Sequence, residues 1–248
     1  MRWTYVRYTR SAFFFVYIMF FLSFVRSWPF IFLIDNKISM ATSVIAARLA
    51  KLPIDIHVVG VPEGSRHEIE AAFRGSPFLV VYESITQTRM PCVITAGQSF
   101  GEMNGGVDGI VNSFLSSYDS SGEYVQARVK RAIQLECGGE LGVGQCLAVG
   151  TAHPRVRTLL YTATMRVAEP VSDTLNAYLA FRAALVQAAK SDVRGVASPL
   201  FCTGDGEMPV GRACRQMRAA YDSIVFGNDV QRATWTDFHA HHRRLKAL

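Results

Sequence analysis

The sequence predicts an α/β fold, with a largely parallel sheet covered by helices on both faces. Two patterns carry that expectation: uninterrupted apolar runs of strand length, and helical segments that alternate with them along the chain. No internal repeat or low-complexity linker divides the chain. One α/β domain is therefore expected over residues 29–227, with a hydrophobic extension at 1–28 and a basic tail at 228–248.

The run "FIFLID" at 30–35 predicts a buried strand, and residues 38–49 a helix with Val44, Ile45 and Leu49 at helical spacing, ending before Pro53. Strands follow at 55–61, 78–82 and 92–96, with a short helix at 67–74 between the first two. Residues 106–117 and 123–136 predict helices; the second carries Val125, Val129, Ala132, Ile133 and Cys137 on one face. Strands at 145–151 and 157–164 lead to the strongest helical pattern, 173–190, which alanines and leucines fill and Ser172 and Asp173 cap. A strand at 195–201 and a helix at 211–225 complete the domain.

Composition narrows the function. The 248 residues are half hydrophobic and 19% charged, which excludes disorder for most of the chain. The net charge is +6, but Arg2, Arg7, Arg10 and Arg26 precede the first acidic residue, Asp35, and leave +2 for the rest. That is too little for a nucleic-acid surface. Five widely spaced cysteines (Cys92, Cys137, Cys146, Cys202, Cys214) form no CxxC pair or zinc spacing and read as reduced thiols of a cytoplasmic protein. Of His239, His241 and His242, only His239 and His242 are spaced for one helical turn, and no cysteine stands beside them, so no metal is expected.

Residues 1–28 read basic, then apolar ("SAFFFVYIMFFLSFV"), then Arg26. The apolar part falls short of the roughly 20 residues of a comfortable span, and no small-x-small cleavage site follows. A signal anchor, a short tilted span and an extension outside the working domain all remain open.

Two glycine loops carry the chemistry. "SFGEMNGGVDG" (99–109) lies between a predicted strand and helix, and so does "TGDGEMP" (203–209). In an open α/β sheet, ligands bind beyond the carboxyl ends of the strands, where helix N-termini present free N–H groups and a partial positive charge. Two such loops suit a diphosphate held between them. Neither has the lysine and hydroxyl of a P-loop, and no GxGxxG follows the first strand, so triphosphatase and dehydrogenase readings fall.

"CVITAGQSFGEMNGGVDGIVNSF", followed later by "VASPLFCTGDGEMPVGRACRQMRAAYD", resembles the macro domain family, most closely its phage and bacterial branch. The pattern there runs PANSFG-x-M-x-GG-[IV]-D and then PGLGTG-x-G-x-M, with a later QM-x-x-AY. The resemblance spans about residues 30–226 and implies a three-layer α/β/α sandwich with a mixed, mostly parallel central sheet. It also implies a cleft for ADP-ribose or an ADP-ribosylated protein, with no cofactor. Some members only bind; others hydrolyse ADP-ribosyl esters or ADP-ribose 1″-phosphate.

By that resemblance, Gly97, Ser99, Gly105, Gly106 and Val107 lie against the distal ribose and diphosphate. Thr203, Gly204, Asp205, Gly206, Glu207 and Met208 wrap the diphosphate from the other side. Asp108 matches a water-activating aspartate, although an acidic residue in a first helical turn is also favoured by the helix dipole alone. Gln98 stands where the family has asparagine, one methylene longer, so its side chain must fold back or the ribose must shift. That bears on hydrolysis more than on binding, because catalysis needs placement within about an ångström. Ser84 and Ile85 fall where the family reads adenine with an aspartate. Ser84 offers only an uncharged bond, and Glu83 in a regular strand would face the other way. Asp205 beside a diphosphate is repulsive unless turned outward. The expected function is ADP-ribose binding with or without hydrolysis; the other reading is an inactive macro fold serving as an interaction module, membrane-anchored or not.

Overall fold

The computed structural model describes residues 55–225 and 233–248. The chain divides into Met1–Ala47 and Arg48–Leu248, and every described residue lies in the second unit. The strand and helix expected at 30–49, and the apolar segment at 1–28, fall outside the described residues. Among the described residues, no helix is long and apolar enough to cross a membrane.

The elements are β1 (Asp55–Val59), α1 (Arg66–Phe73), β2 (Phe78–Val81), β3 (Cys92–Gln98), α2 (Gly106–Ser116), α3 (Val125–Cys137), β4 (Cys146–Gly150), β5 (Thr158–Met165), α4 (Asn176–Lys190), β6 (Gly195–Ser198), α5 (Val210–Val225) and α6 (Trp235–Lys246). The strands form one sheet in the order β2-β1-β6-β3-β5-β4. Every neighbouring pair is parallel except β4 with β5. The sheet is therefore mixed and mostly parallel: the apolar runs predict the parallel majority, and the resemblance implies the mixed sheet.

Helices cover both faces. On one face, α1, α4 and α5 pack over β1, β6, β3 and β5, with Phe181 centred between Phe201 at 5.3 Å and Phe78 at 5.9 Å. On the other, α2 and α3 cover β3, β4 and β5. The α3 face predicted by periodicity is the one that packs: Val125, Val129 and Ile133 are buried, and Ala132 and Cys137 are partly so. The result is a three-layer α/β/α sandwich. All five cysteines are free.

Three sequence expectations change. The cap predicted at Ser172 and Asp173 is not used: α4 starts at Asn176, because Val171 is buried and its N–H donates to Gly206 O at 2.9 Å. That bond fastens the segment to the second glycine loop. Instead of a cap, the Thr174 hydroxyl receives the Asn176 N–H at 3.2 Å. β6 stops at Ser198, since Pro199 has no N–H to continue the ladder. The tail forms a helix, α6, started by a capping box between Thr234 and Asp237. Most of its side chains are exposed, as a basic tail predicts. Leu245, however, is buried against the core, and Arg215 donates to Leu248 O at 2.7 Å.

Candidate functional site

The two glycine loops come together because their strands are neighbours. β3 pairs with β6 in parallel, Cys92 opposite Val196 and Val93 opposite Ala197, so the chains leave the sheet side by side at its carboxyl edge. Between them lies a cleft of about 290 Å³. Its walls include Gly97 and Gln98 at the end of β3, Gly105 to Asp108 at the start of α2, and Thr203 to Gly206 after β6. An open groove of about 800 Å³ along α2, past Ile110 and Phe114, shares Asn104, Gly105 and Gly106 with it.

The end of β3 is shaped by a residue that sequence reasoning missed. The Tyr161 hydroxyl donates to Gln98 O at 2.7 Å and accepts from Gln98 N at 3.1 Å. Its ring occupies the space above Gly97, where a Cβ would lie 2.4 Å from the hydroxyl oxygen. Only glycine permits that approach. The β3–β5 register shifts between Gly97 and Gln98, the kind of irregularity that re-aims a side chain. The Gln98 side chain then folds back, its Oε1 accepting from the Phe100 N–H. With the oxygen engaged there, the amide NH₂ remains as a donor.

Asp108 sits in the first turn of α2. Its Oδ1 is buried with no hydrogen-bond partner among the described residues. Burial, and next the charge of Asp205, push its carboxyl up to about 7. The helix N-terminus acts in the opposite direction.

The second loop is closed by its own backbone. Glu207 N donates to Gly204 O at 2.8 Å, and Met208 N to Cys202 O at 2.9 Å. A Cβ on Gly206 would meet Cys202 O at 2.6 Å, so that position also requires glycine. Cys202 and Glu207 hold left-handed backbone, with φ of 62° and 51°. Cys202 also lines the cleft, and burial pushes its thiol up to about 12, which keeps it un-ionised.

The remaining candidates lie elsewhere. Ser99 is buried, and its hydroxyl donates to Met165 O at 3.4 Å. Met208 is buried in the core and Glu207 is exposed; neither lines the cleft. Ile85 is also a core residue. Ser84 caps the short turn Ile85–Gln87, its Oγ accepting from the Thr86 hydroxyl at 3.1 Å. Ser84 and Glu83 border one small depression with His57 and Arg89. The strand alternation expected to part them does not apply, because β2 ends at Val81.

No protein-family model matches the chain, and no curated protein matches it. Among solved structures, an Oceanobacillus iheyensis macrodomain with MES bound is similar at 17% identity, over 66% of this chain and 87% of that one, with a TM-score of 0.46. The macrodomain of Mycobacterium tuberculosis DarG is similar at 12% identity over 58% and 88%, with a TM-score of 0.48. A Trypanosoma brucei macrodomain in complex with ADP is similar at 16% identity over 59% and 56%, with a TM-score of 0.45.

Proposed function

We propose that this chain binds ADP-ribose, free or attached to a protein, in the cleft between the two glycine loops. The observation that supports this reading best is the cleft itself, in which a helix N-terminus faces a glycine turn across about 290 Å³. The first N–H groups of α2 have no intrahelical acceptor and suit phosphate oxygens. Gly105 and Gly204 have open space where a Cβ would stand, so a ligand can approach the main chain closely at both. The adjoining groove along α2 gives an elongated ligand room beyond the diphosphate. The motif order in the sequence, both loops followed by "QMRAAYD", supports the macro-domain reading of the same cleft.

Calorimetric titration of ADP-ribose into the full chain tests this. Heat of binding and a thermal shift are expected, and Gly204→Ala should weaken both. No heat and no shift at millimolar ligand would overturn the reading.

One observation favours a hydrolytic extension. A carboxyl held at about 7 is matched to general-base work near neutral pH, and the Asp108 oxygen is unpartnered. Release of ADP-ribose from a modified protein would then rise as pH passes through 7, when Asp108 ionises, and would be lost in Asp108→Asn. Turnover unchanged in that variant would sink the extension and leave binding intact.

A further inference from the structure

The C-terminal helix carries a surface that the cleft does not use. The sequence predicts only a basic tail there, but the structure fixes α6 in place. Leu245 is buried in the core, Arg215 of α5 donates to the Leu248 carbonyl at 2.7 Å, and the His241 ring meets Tyr178 of α4 at 6.1 Å. With that side docked, the helix presents a fixed outer face. Trp235, His239, Arg243 and Lys246 follow one another at helical spacing, and all four are exposed.

Positive charge gathers there without a counter-charge. Among the described residues, no carboxylate forms an ion pair with Arg243, Arg244, Lys246 or Arg182 of α4. Asp237, the acidic residue of α6, is committed to the capping box at Thr234. Burial, and next the charges of Arg244, Arg182 and His242, hold the His241 imidazole below its ordinary value, so these cations lie close together. Cations in a last helical turn are favoured by the helix dipole alone. The dipole does not account for Trp235 at the opposite end, which is 75% exposed and edge-on to His239 at 4.9 Å. Phe238, one turn on, is exposed as well. Solvent-facing aromatics beside a row of cations are the composition of a contact surface.

We propose that the outer face of α6 docks on an anionic lipid surface. Arg243 and Lys246 meet the headgroup charge, Arg244 and Arg182 flank them, and Trp235 sits at the interface. Two features favour a bilayer over a nucleic acid. Four cations on one convex helix neutralise few phosphates of a strand, whereas near an anionic leaflet each one raises partitioning about fivefold. The sequence at 1–28 is basic and then apolar, a composition that favours the same surface, and stable membrane association takes two such signals.

Co-sedimentation of the full chain with vesicles tests this, using phosphatidylcholine alone and phosphatidylcholine with about one-third phosphatidylserine, at equal ionic strength. Partitioning onto the anionic vesicles is expected to exceed that onto the neutral ones by about tenfold or more. Arg243→Gln/Arg244→Gln/Lys246→Gln keeps good helix formers, so it should leave Tm unchanged while removing about tenfold or more of the anionic partitioning. Trp3→Phe/Trp28→Phe leaves Trp235 as the lone tryptophan, and its emission should shift to the blue on anionic vesicles. Equal partitioning onto the two vesicle types, partitioning unchanged in the glutamine variant, or Trp235 emission that stays at its value in water overturns the proposal. Should the glutamine variant unfold, the Trp235 emission decides alone. A single-stranded oligonucleotide that binds more tightly than the anionic vesicles, and loses affinity in the glutamine variant, overturns the lipid assignment.

Discussion

The two glycine loops share a cleft, yet they are built in opposite ways. The first is held from outside: Tyr161 bonds the Gln98 backbone and fills the space over Gly97, and α2 supplies the N-terminus. The second is held largely from within, by bonds from Glu207 to Gly204 and from Met208 to Cys202, with Val171 donating to the Gly206 carbonyl from outside. A loop fixed by its neighbours can present a half-buried acid such as Asp108, with one oxygen out of solvent. A self-closed turn leaves its acid, Asp205, in solvent. One side of the cleft is thus set by packing and the other by turn geometry.

The largest effects should come from the glycines that permit close approach. Gly97→Val drives a side chain into Tyr161 and should cost more than about 3 kcal/mol, read as loss of soluble folded protein or a collapse of Tm. Gly206→Ala should cost about 2 kcal/mol, because the carbonyl it meets is backbone that cannot turn aside. If Gly97→Val were tolerated as well as Gly206→Ala, the contrast between outer and inner support would fail.

Tyr161→Phe is next. It leaves the N–H and C=O of Gln98 without their partner at a part-buried site, a loss of about 1–3 kcal/mol by denaturant titration. Ligand affinity should fall with it, since the end of β3 loses its position. A fall in stability alone would detach Tyr161 from the site.

The two aspartates offer a pH comparison. The Asp108 carboxyl rises from an ordinary value near 3.8 to about 7 in the fold, so between those values the native state holds a proton that the unfolded chain has released. The stability this confers is full below about pH 4 and is lost as pH rises through 7. Asp108→Asn, which stays neutral, should therefore match the parent near pH 4 and exceed it by up to about 4 kcal/mol above pH 7. Asp205→Asn, at an exposed position, should change unfolding stability by less than about 0.5 kcal/mol. An Asp108→Asn stability profile parallel to that of the parent chain across this pH range would erase the distinction between the loops.

The smallest stability effect belongs to Gly204→Ala, which meets nothing within 4 Å and should shift stability by less than about 0.5 kcal/mol while weakening ADP-ribose binding. Unchanged binding would place the ligand away from this turn.

The sequence by itself determined the sandwich and the loops. Apolar runs of strand length can be satisfied only by cover on both faces, and helical periodicity names the covering side, as Val125, Val129 and Ile133 do. Glycine-rich stretches between strand and helix mark the edge where ligands gather. The tertiary structure alone decided which strands are neighbours: β6, formed about a hundred residues after β3, lies beside it and so closes the cleft. It also decided that Tyr161 governs Gln98, that Val171 draws the start of α4 back to Asn176, and that Ser84 caps a turn rather than lining the cleft. Those outcomes depend on contacts between residues far apart in the chain, and local pattern carries no record of such pairings.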